Sequence, residues 1–189
     1  MGKVIIFSAP SGSGKTTIVR HLLERYPQFE FSISATSRAP RGQERDGVDY
    51  YFLSHGEFMQ AVTENRFVEW EEVYKGTCYG TLRSEVERIW QRGHVIVFDV
   101  DVLGGINLKR IFGGDACSVF IMPPSVEELR RRLEGRGTDA PEVIERRVAK
   151  AEFELTKAPE FDHIVLNDRL EEAVERTCAI LDAFIGEAE

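Results

Sequence analysis

Gly14-Lys15-Thr16, preceded by Pro10-Ser11-Gly12-Ser13, is the first place in this 189-residue chain where residue types and spacing could do chemistry. Successive backbone N–H groups in a glycine-rich turn converge on phosphate oxygens, a lysine adds a mobile positive charge, and a threonine hydroxyl can hold Mg²⁺. The usual spacing of such a loop puts glycine where Ala9 stands; if that position needs little φ freedom, the departure weakens the match only slightly. A second place is Val95-Ile96-Val97-Phe98-Asp99, an apolar run that ends in a carboxylate. Asp99 could orient water around a magnesium ion, while Asp101 could contact substrate or simply cap the next helix. Arginines supply the third: Arg38, Arg41 and Arg45 in one stretch, and Arg130, Arg131, Arg132, Arg136, Arg146 and Arg147 in another. Their planar forks suit bidentate phosphate contacts. By itself, however, the second cluster reads slightly better as a solvated face neutralised by Glu127, Glu128, Glu134, Glu142 and Glu145.

These groups need elements to place them. Lys3 to Phe7 reads as a buried strand entering the glycine-rich loop, and Ile18, Val19, Leu22, Leu23 and Tyr26 recur at helical spacing until Pro27. Phe29, Phe31 and Ile33 alternate with polar residues as a second strand, followed by a polar loop over residues 35 to 49. Ser54 with Glu57 and Ser84 with Glu87 predict capped helix starts, and Phe67 to Tyr74 predicts a strand. Beyond them the pattern gives a strand at 94 to 100, a helix at 102 to 112, a strand at 116 to 122 and a helix opened by Ser125 and Glu128. A long helix then starts near Asp139-Ala140-Pro141, with a last strand at 163 to 166 and a closing helix at 170 to 185. Strands alternating with helices predict an α/β fold with a parallel sheet flanked by helices, and residues 34 to 84 read as an insertion on that core.

Composition narrows the classes. With 24 Lys plus Arg against 32 Asp plus Glu the net charge is −8, which argues against a broad nucleic-acid surface. Cys78, Cys117 and Cys178 are widely spaced and odd in number, so neither a disulfide framework nor a structural zinc site is expected. The longest apolar runs hold four residues, far short of a signal segment or a membrane span, and a cytoplasmic location is expected.

The chain then reads S-I-S-A-T-S-R-A-P-R at 32 to 41, D-G-V-D-Y-Y-F at 46 to 52, F-V-E-W at 67 to 70 and C-Y-G-T at 78 to 81. It continues with P-P-S-V-E-E-L-R-R-R-L-E-G-R-G-T at 123 to 138 and V-L-N-D at 165 to 168. This ordered array resembles the guanylate kinase family over nearly the whole chain. The resemblance implies a P-loop core (1–33, 85–125 and 158–189), a GMP-binding insertion (34–84) and a helical lid (126–157) in one domain. It implies ATP and GMP as substrates, with Mg²⁺ as cofactor. Use of dGMP and the oligomeric state stay open.

Carried over by motif, Ala9, Pro10, Ser11, Gly12, Ser13, Gly14, Lys15, Thr16, Thr17, Arg136 and Asn167 would hold ATP, with Thr16 and Asp99 at the metal. Arg38, Arg41, Tyr50 and Tyr79 would grip the GMP phosphate, and Ser34, Glu69 and Thr81 would meet guanine, with Asp99 and Asp101 beside them. Lys15, Arg38, Arg136 and Arg147 would stabilise the transferring group. Chemistry supports Glu69 separately. Guanine offers N1–H and a 2-amino group side by side to a carboxylate, whereas adenine offers an acceptor there. Two rivals share the core: a P-loop kinase for another phosphorylated acceptor such as a sugar bisphosphate, and a catalytically silent peptide-binding module. Ser34, Glu69 and Thr81 together speak against the first, and Lys15 with Thr16 against the second.

Overall fold

The computed structural model describes residues 2–135 and 140–186. Its central strand β1 (Val4–Ser8) is buried along its whole length, as a strand covered on both faces must be, and therefore shows a continuous apolar run rather than alternation. Five parallel strands line up in the order β2 (Phe29–Phe31), β7 (Val95–Asp99), β1, β8 (Ala116–Met122), β9 (His163–Leu166). Period-2 geometry sends Ile5 and Phe7 to one face, where α1 (Lys15–Arg25) and α7 (Leu170–Gly186) bury Ile18, Leu22, Ala173 and Leu181 against them. Val4 and Ile6 point the other way, under α3 (Arg83–Gln91) and α4 (Val102–Phe112), which bring Val86, Ile89, Leu108 and Phe112.

Between β2 and α3 the chain leaves this sheet and builds a second one in the order β4 (Tyr51–Phe52), β3 (Ala35–Thr36), β6 (Thr77–Leu82), β5 (Phe67–Tyr74). It has its own small core, in which Ala35, Phe67 and Cys78 pack on Phe58 and Ala61 of α2 (His55–Thr63). Both bonds of the expected capping box close at Ser54 and Glu57. Two further helices, α5 (Val126–Gly135) and α6 (Pro141–Leu155), pack together through Leu129, Leu133, Ile144, Val148 and Ala151. Ser125 Oγ accepts from Glu128 N at 3.0 Å, as its spacing predicts. Among the described residues no helix is long and apolar enough to cross a membrane.

Three features differ from the sequence reading. β6 is a full strand inside a stretch read only as a motif, and the loop region contains the two-residue strands β3 and β4, too short to show a period. α3 begins at Arg83 with Leu82 in the cap position, so Ser84 is not its cap. The entry is held another way: Arg83 N donates to Arg66 O at 2.9 Å and Arg83 Nε to Asn65 O at 2.9 Å, as β6 runs directly into the helix.

Gly80 explains part of the C-Y-G-T motif. A Cβ there would lie 2.7 Å from Glu69 O and 2.8 Å from Trp70 Cβ on the paired strand, contacts that only a shift of β5 could relieve. Gly80→Ala is therefore expected to destabilise the protein by about 1–3 kcal/mol, as overpacking does elsewhere. Urea unfolding followed by circular dichroism measures this, and an unchanged midpoint would show that β5 and β6 have slack at this point.

Candidate functional site

The glycine-rich loop leaves β1 at Ser8 and enters α1 at Lys15. Gly14 takes the left-handed conformation (φ 86°) at the N-cap, and α1 has neither a side-chain cap nor an acid in its first turn. Its first N–H groups thus face the loop cavity with nothing of the helix's own to neutralise them, the arrangement that attracts an anion. Asn65 is the only described non-glycine residue at positive φ, so Ala9 has an ordinary backbone and glycine is not required there. From beneath, Asn167 at the end of β9 donates its amide to Ser13 O at 2.7 Å and is only 5% exposed. The resemblance places Asn167 with ATP; its side-chain amide holds the loop itself.

Parallel pairing puts Phe7 beside Asp99, so the loop after β1 and the acids after β7 emerge at one sheet edge. Lys15 Nζ folds back over the loop to pair with Asp99 and donates to Val100 O at 2.9 Å. Asp101 does cap α4, accepting from Gly104 N at 2.7 Å, and it also faces the cleft. One cavity runs along Ala9 to Thr17 and is closed by Arg147 and Glu154 of α6. A neighbouring cavity, between the two sheets, is lined by Ser34, Tyr50, Glu69, Glu71 and Tyr79. Asp99, Val100, Asp101 and Lys150 form the wall common to both.

Glu69 is largely buried in the second cavity. Burial, reinforced by the charges of Asp101 and Glu71 against a hydrogen bond from Thr81, pushes its carboxyl up to about 7. Thr81, expected against the base, is completely buried; its hydroxyl donates to Glu69 Oε1 at 2.9 Å, and it reaches the cavity only through that carboxylate. Arg38 stands over the Tyr50 ring at 4.9 Å and donates Nε to Tyr79 Oη at 3.1 Å. Its two terminal nitrogens meet both oxygens of Glu44, at 2.7 and 2.8 Å. That contact, together with the Arg41 backbone N–H, draws the Glu44 carboxyl down to about 2. The Arg41 side chain is exposed and lines neither cavity.

The second arginine cluster divides. Arg130 pairs with Glu145 and Arg131 with Glu128 as a solvated face would, whereas the less exposed Arg132 pairs with Glu128 and also donates to Asn167 O at 3.2 Å. Arg147 instead points into the loop cavity and donates to Ser11 Oγ at 3.1 Å. Arg136 lies outside the described residues. Sequence reasoning missed Glu44, Lys150 and Glu154. Glu44 was signalled by its place three residues after Arg41, and Lys150 and Glu154 by their helical spacing from Arg147 along α6.

Known proteins resemble this chain over nearly its whole length. The family profile described as guanylate kinase matches residues 1–184. A guanylate kinase of Bacteroides fragilis is 56% identical over 184 residues, covering 97% of this chain and 90% of the relative. One from Porphyromonas gingivalis is 51% identical over 187 residues, covering 98% of this chain and 100% of the relative. Among solved structures, guanylate kinase from Anaplasma phagocytophilum aligns with a TM-score of 0.76 and 31% identity, over 96% of this chain and 85% of that one.

The raised carboxyl of Glu69 has a stability consequence. A group that holds its proton more tightly when folded contributes fully below its unfolded value of 4.5, and that contribution is lost as pH rises through about 7. Glu69→Gln, which never ionises, is therefore expected to be more stable than the parent without added nucleotide, by about 2–3 kcal/mol at pH 8. The gap should widen between pH 5 and pH 7 and level off above. Thermal melts across that range check it, and a constant gap would mean that Glu69 is not titrating in the fold.

Proposed function

This chain belongs to the guanylate kinase family and catalyses phosphoryl transfer from ATP to GMP, giving ADP and GDP; from that premise we propose how its residues divide the work. The observation that carries the division is the common wall of Asp99, Val100, Asp101 and Lys150, which sets the phosphate-loop cavity against the Glu69 cavity. Two nucleotides held by their distinct ends would meet there, phosphate to phosphate.

In this reading residues 34–84 are the GMP-binding insertion, residues 126–157 the lid, and the remainder the core. The loop from Ala9 to Thr17 cradles the ATP phosphates through its N–H groups, and Lys15 exchanges Asp99 and Val100 O for phosphate oxygen. Asn167 is a positioning residue for the loop through Ser13 O. Arg147 comes to the transferring group from α6, and Arg136 is assigned beside it by motif.

Thr16 and Asp99 place a hydroxyl and a carboxylate in the loop cavity, a donor set that suits Mg²⁺, which keeps several waters and takes its other ligands from phosphate. No group of three or more His, Cys, Asp or Glu among the described residues offers a closed cage, and none is needed by such an ion. When bound there, Mg²⁺ neutralises charge on the phosphate oxygens.

On the acceptor side, Glu69 accepts from guanine N1–H and the 2-amino group, and Thr81 holds one carboxylate oxygen in place. Ser34, Asp99 and Asp101 complete that wall. Tyr50 and Tyr79 line the cavity where the GMP phosphate would lie; Arg38 and Arg41 are assigned to that phosphate by motif, Arg38 exchanging the Glu44 carboxylate for it and the exposed Arg41 side chain turning inward. The second pKa of a phosphate monoester is about 6, so the attacking oxygen is already largely deprotonated and no general base is required. Catalysis becomes a matter of positioning and charge.

Purified protein with MgATP should release ADP rapidly with GMP and slowly with AMP, CMP, UMP or ribose bisphosphate. Release with the sugar phosphate, or no release above the acceptor-free control with any acceptor, would reject the reading. Lys15→Ala should abolish transfer yet leave GMP binding, measured by calorimetry, within about threefold, because Lys15 is assigned to ATP. GMP binding should also strengthen as pH rises through 7, beyond the part due to the GMP phosphate. That excess should disappear in Glu69→Gln, whose affinity for GMP should fall by at least about 100-fold.

A further inference from the structure

The chain crosses from the core to the second sheet at residues 33–34 and returns where β6 meets α3. Glu85, in the first turn of α3, lies inside that double crossing and is 1% exposed. Its carboxylate takes hydrogen bonds from both sides. Oε1 accepts from Ile33 N at 2.9 Å on the outgoing crossing, and Oε2 accepts from Tyr51 Oη at 2.9 Å on β4 of the second sheet. Arg88 grips both oxygens from the core, with Nε and Nη2 at 2.9 and 2.8 Å, and its remaining nitrogen reaches Glu30 on β2. Glu30 is held in turn by Arg92 at 3.1 Å and His94 at 2.7 Å. Four donors on one buried carboxylate outweigh the cost of burial, and the Glu85 carboxyl lies below its ordinary range.

The neighbours of these contacts matter. Ile33 precedes Ser34, Tyr51 follows Tyr50, and both Ser34 and Tyr50 line the Glu69 cavity. Tyr51 N also donates to Ser34 O at 2.9 Å. Glu85 thus ties the segments that carry Ser34 and Tyr50 to the core, alongside the apolar packing of Val68 of β5 on the core.

We propose that Glu85, acting with Tyr51, is a positioning residue for phosphoryl transfer: it fixes the orientation of the second sheet on the core and thereby the line between the two phosphates. This rests on the assignment of GMP to the Glu69 cavity. Most groups assigned to GMP (Arg38, Tyr50, Glu69, Tyr79) lie on the second sheet and its connections, so loosening the tie leaves GMP bound but misaligned. The defect falls on kcat and spares binding.

The test is steady-state kinetics and calorimetry on Tyr51→Phe, Glu85→Gln and the double variant. Tyr51→Phe deletes one hydroxyl and should lower kcat about tenfold, the scale of one lost charge-assisted hydrogen bond. Kd for GMP and KM for ATP should stay within about threefold, and the double variant should be no slower than Glu85→Gln alone, because both act through one contact. Should Glu85→Gln not fold, Glu85→Asp takes its place in the double variant. Parental kcat in Tyr51→Phe overturns the proposal even if the melting temperature falls, since a purely structural tie would do just that. A weakened Kd for GMP at unchanged kcat overturns it as well. Both outcomes presuppose GMP turnover by the parent; without that turnover the assignment of GMP fails first, and this proposal with it.

Discussion

The site depends on the parallel pairing of Phe7 with Asp99. Neighbouring parallel strands end at the same edge of the sheet, so this single register places the loop after β1 beside the carboxylates after β7. Lys15 can then reach Asp99 and Val100 O, Ser8 Oγ can donate to Asp101 O, and the loop is held between the end of β7 on one side and Asn167, just after β9, on the other. A slip of one residue would turn Asp99 to the other face of the sheet. The loop would keep its glycines and lose its setting.

The second sheet solves a different problem. The proposed reading of the base uses a carboxylate largely out of water, and burial raises the Glu69 carboxyl accordingly. The surroundings limit that rise only in part: Thr81 satisfies one oxygen, while Asp101 and Glu71 add repulsion. A site arranged in this way is strained towards a ligand that brings two N–H donors. Arg38 shows the opposite balance: Glu44 meets its two terminal nitrogens, Tyr79 meets Nε and the Tyr50 ring lies 4.9 Å away, so its charge is already matched within the fold.

The two arginine clusters show why side-chain type alone does not assign a role. Arg130 and Arg131 are neutralised by acids on their own helix pair, and Arg132 is paired with Glu128 while it also donates to Asn167 O. Arg147 faces the other way, across to Ser11. Which face of α6 turns to the loop is decided by the apolar stripe of Ile144, Val148 and Ala151, which must bury itself against α5.

Much was legible in the sequence because it rests on local rules. The capping box at Ser54 and the serine cap at Ser125 follow local spacing, the long apolar strands and the helical stripes obey periods of two and 3.6 residues, and the loop at Gly12 to Thr16 carries its own chemistry. The α/β order of elements and the parallel sheet follow from these. What the tertiary structure alone decided are relations between residues far apart in the chain. β3 and β4 are too short to signal themselves and exist through pairing; Leu82 needs no cap because Asn65 and Arg66 hold the entry to α3. Thr81 is buried behind Glu69, Asn167 holds the loop through Ser13 O, and Glu85 joins the core to the second sheet. Buried polar groups favour hydrogen-bonded positions, and for Thr81 and Asn167 the partners lie 12 and 154 residues away in sequence, beyond any local period.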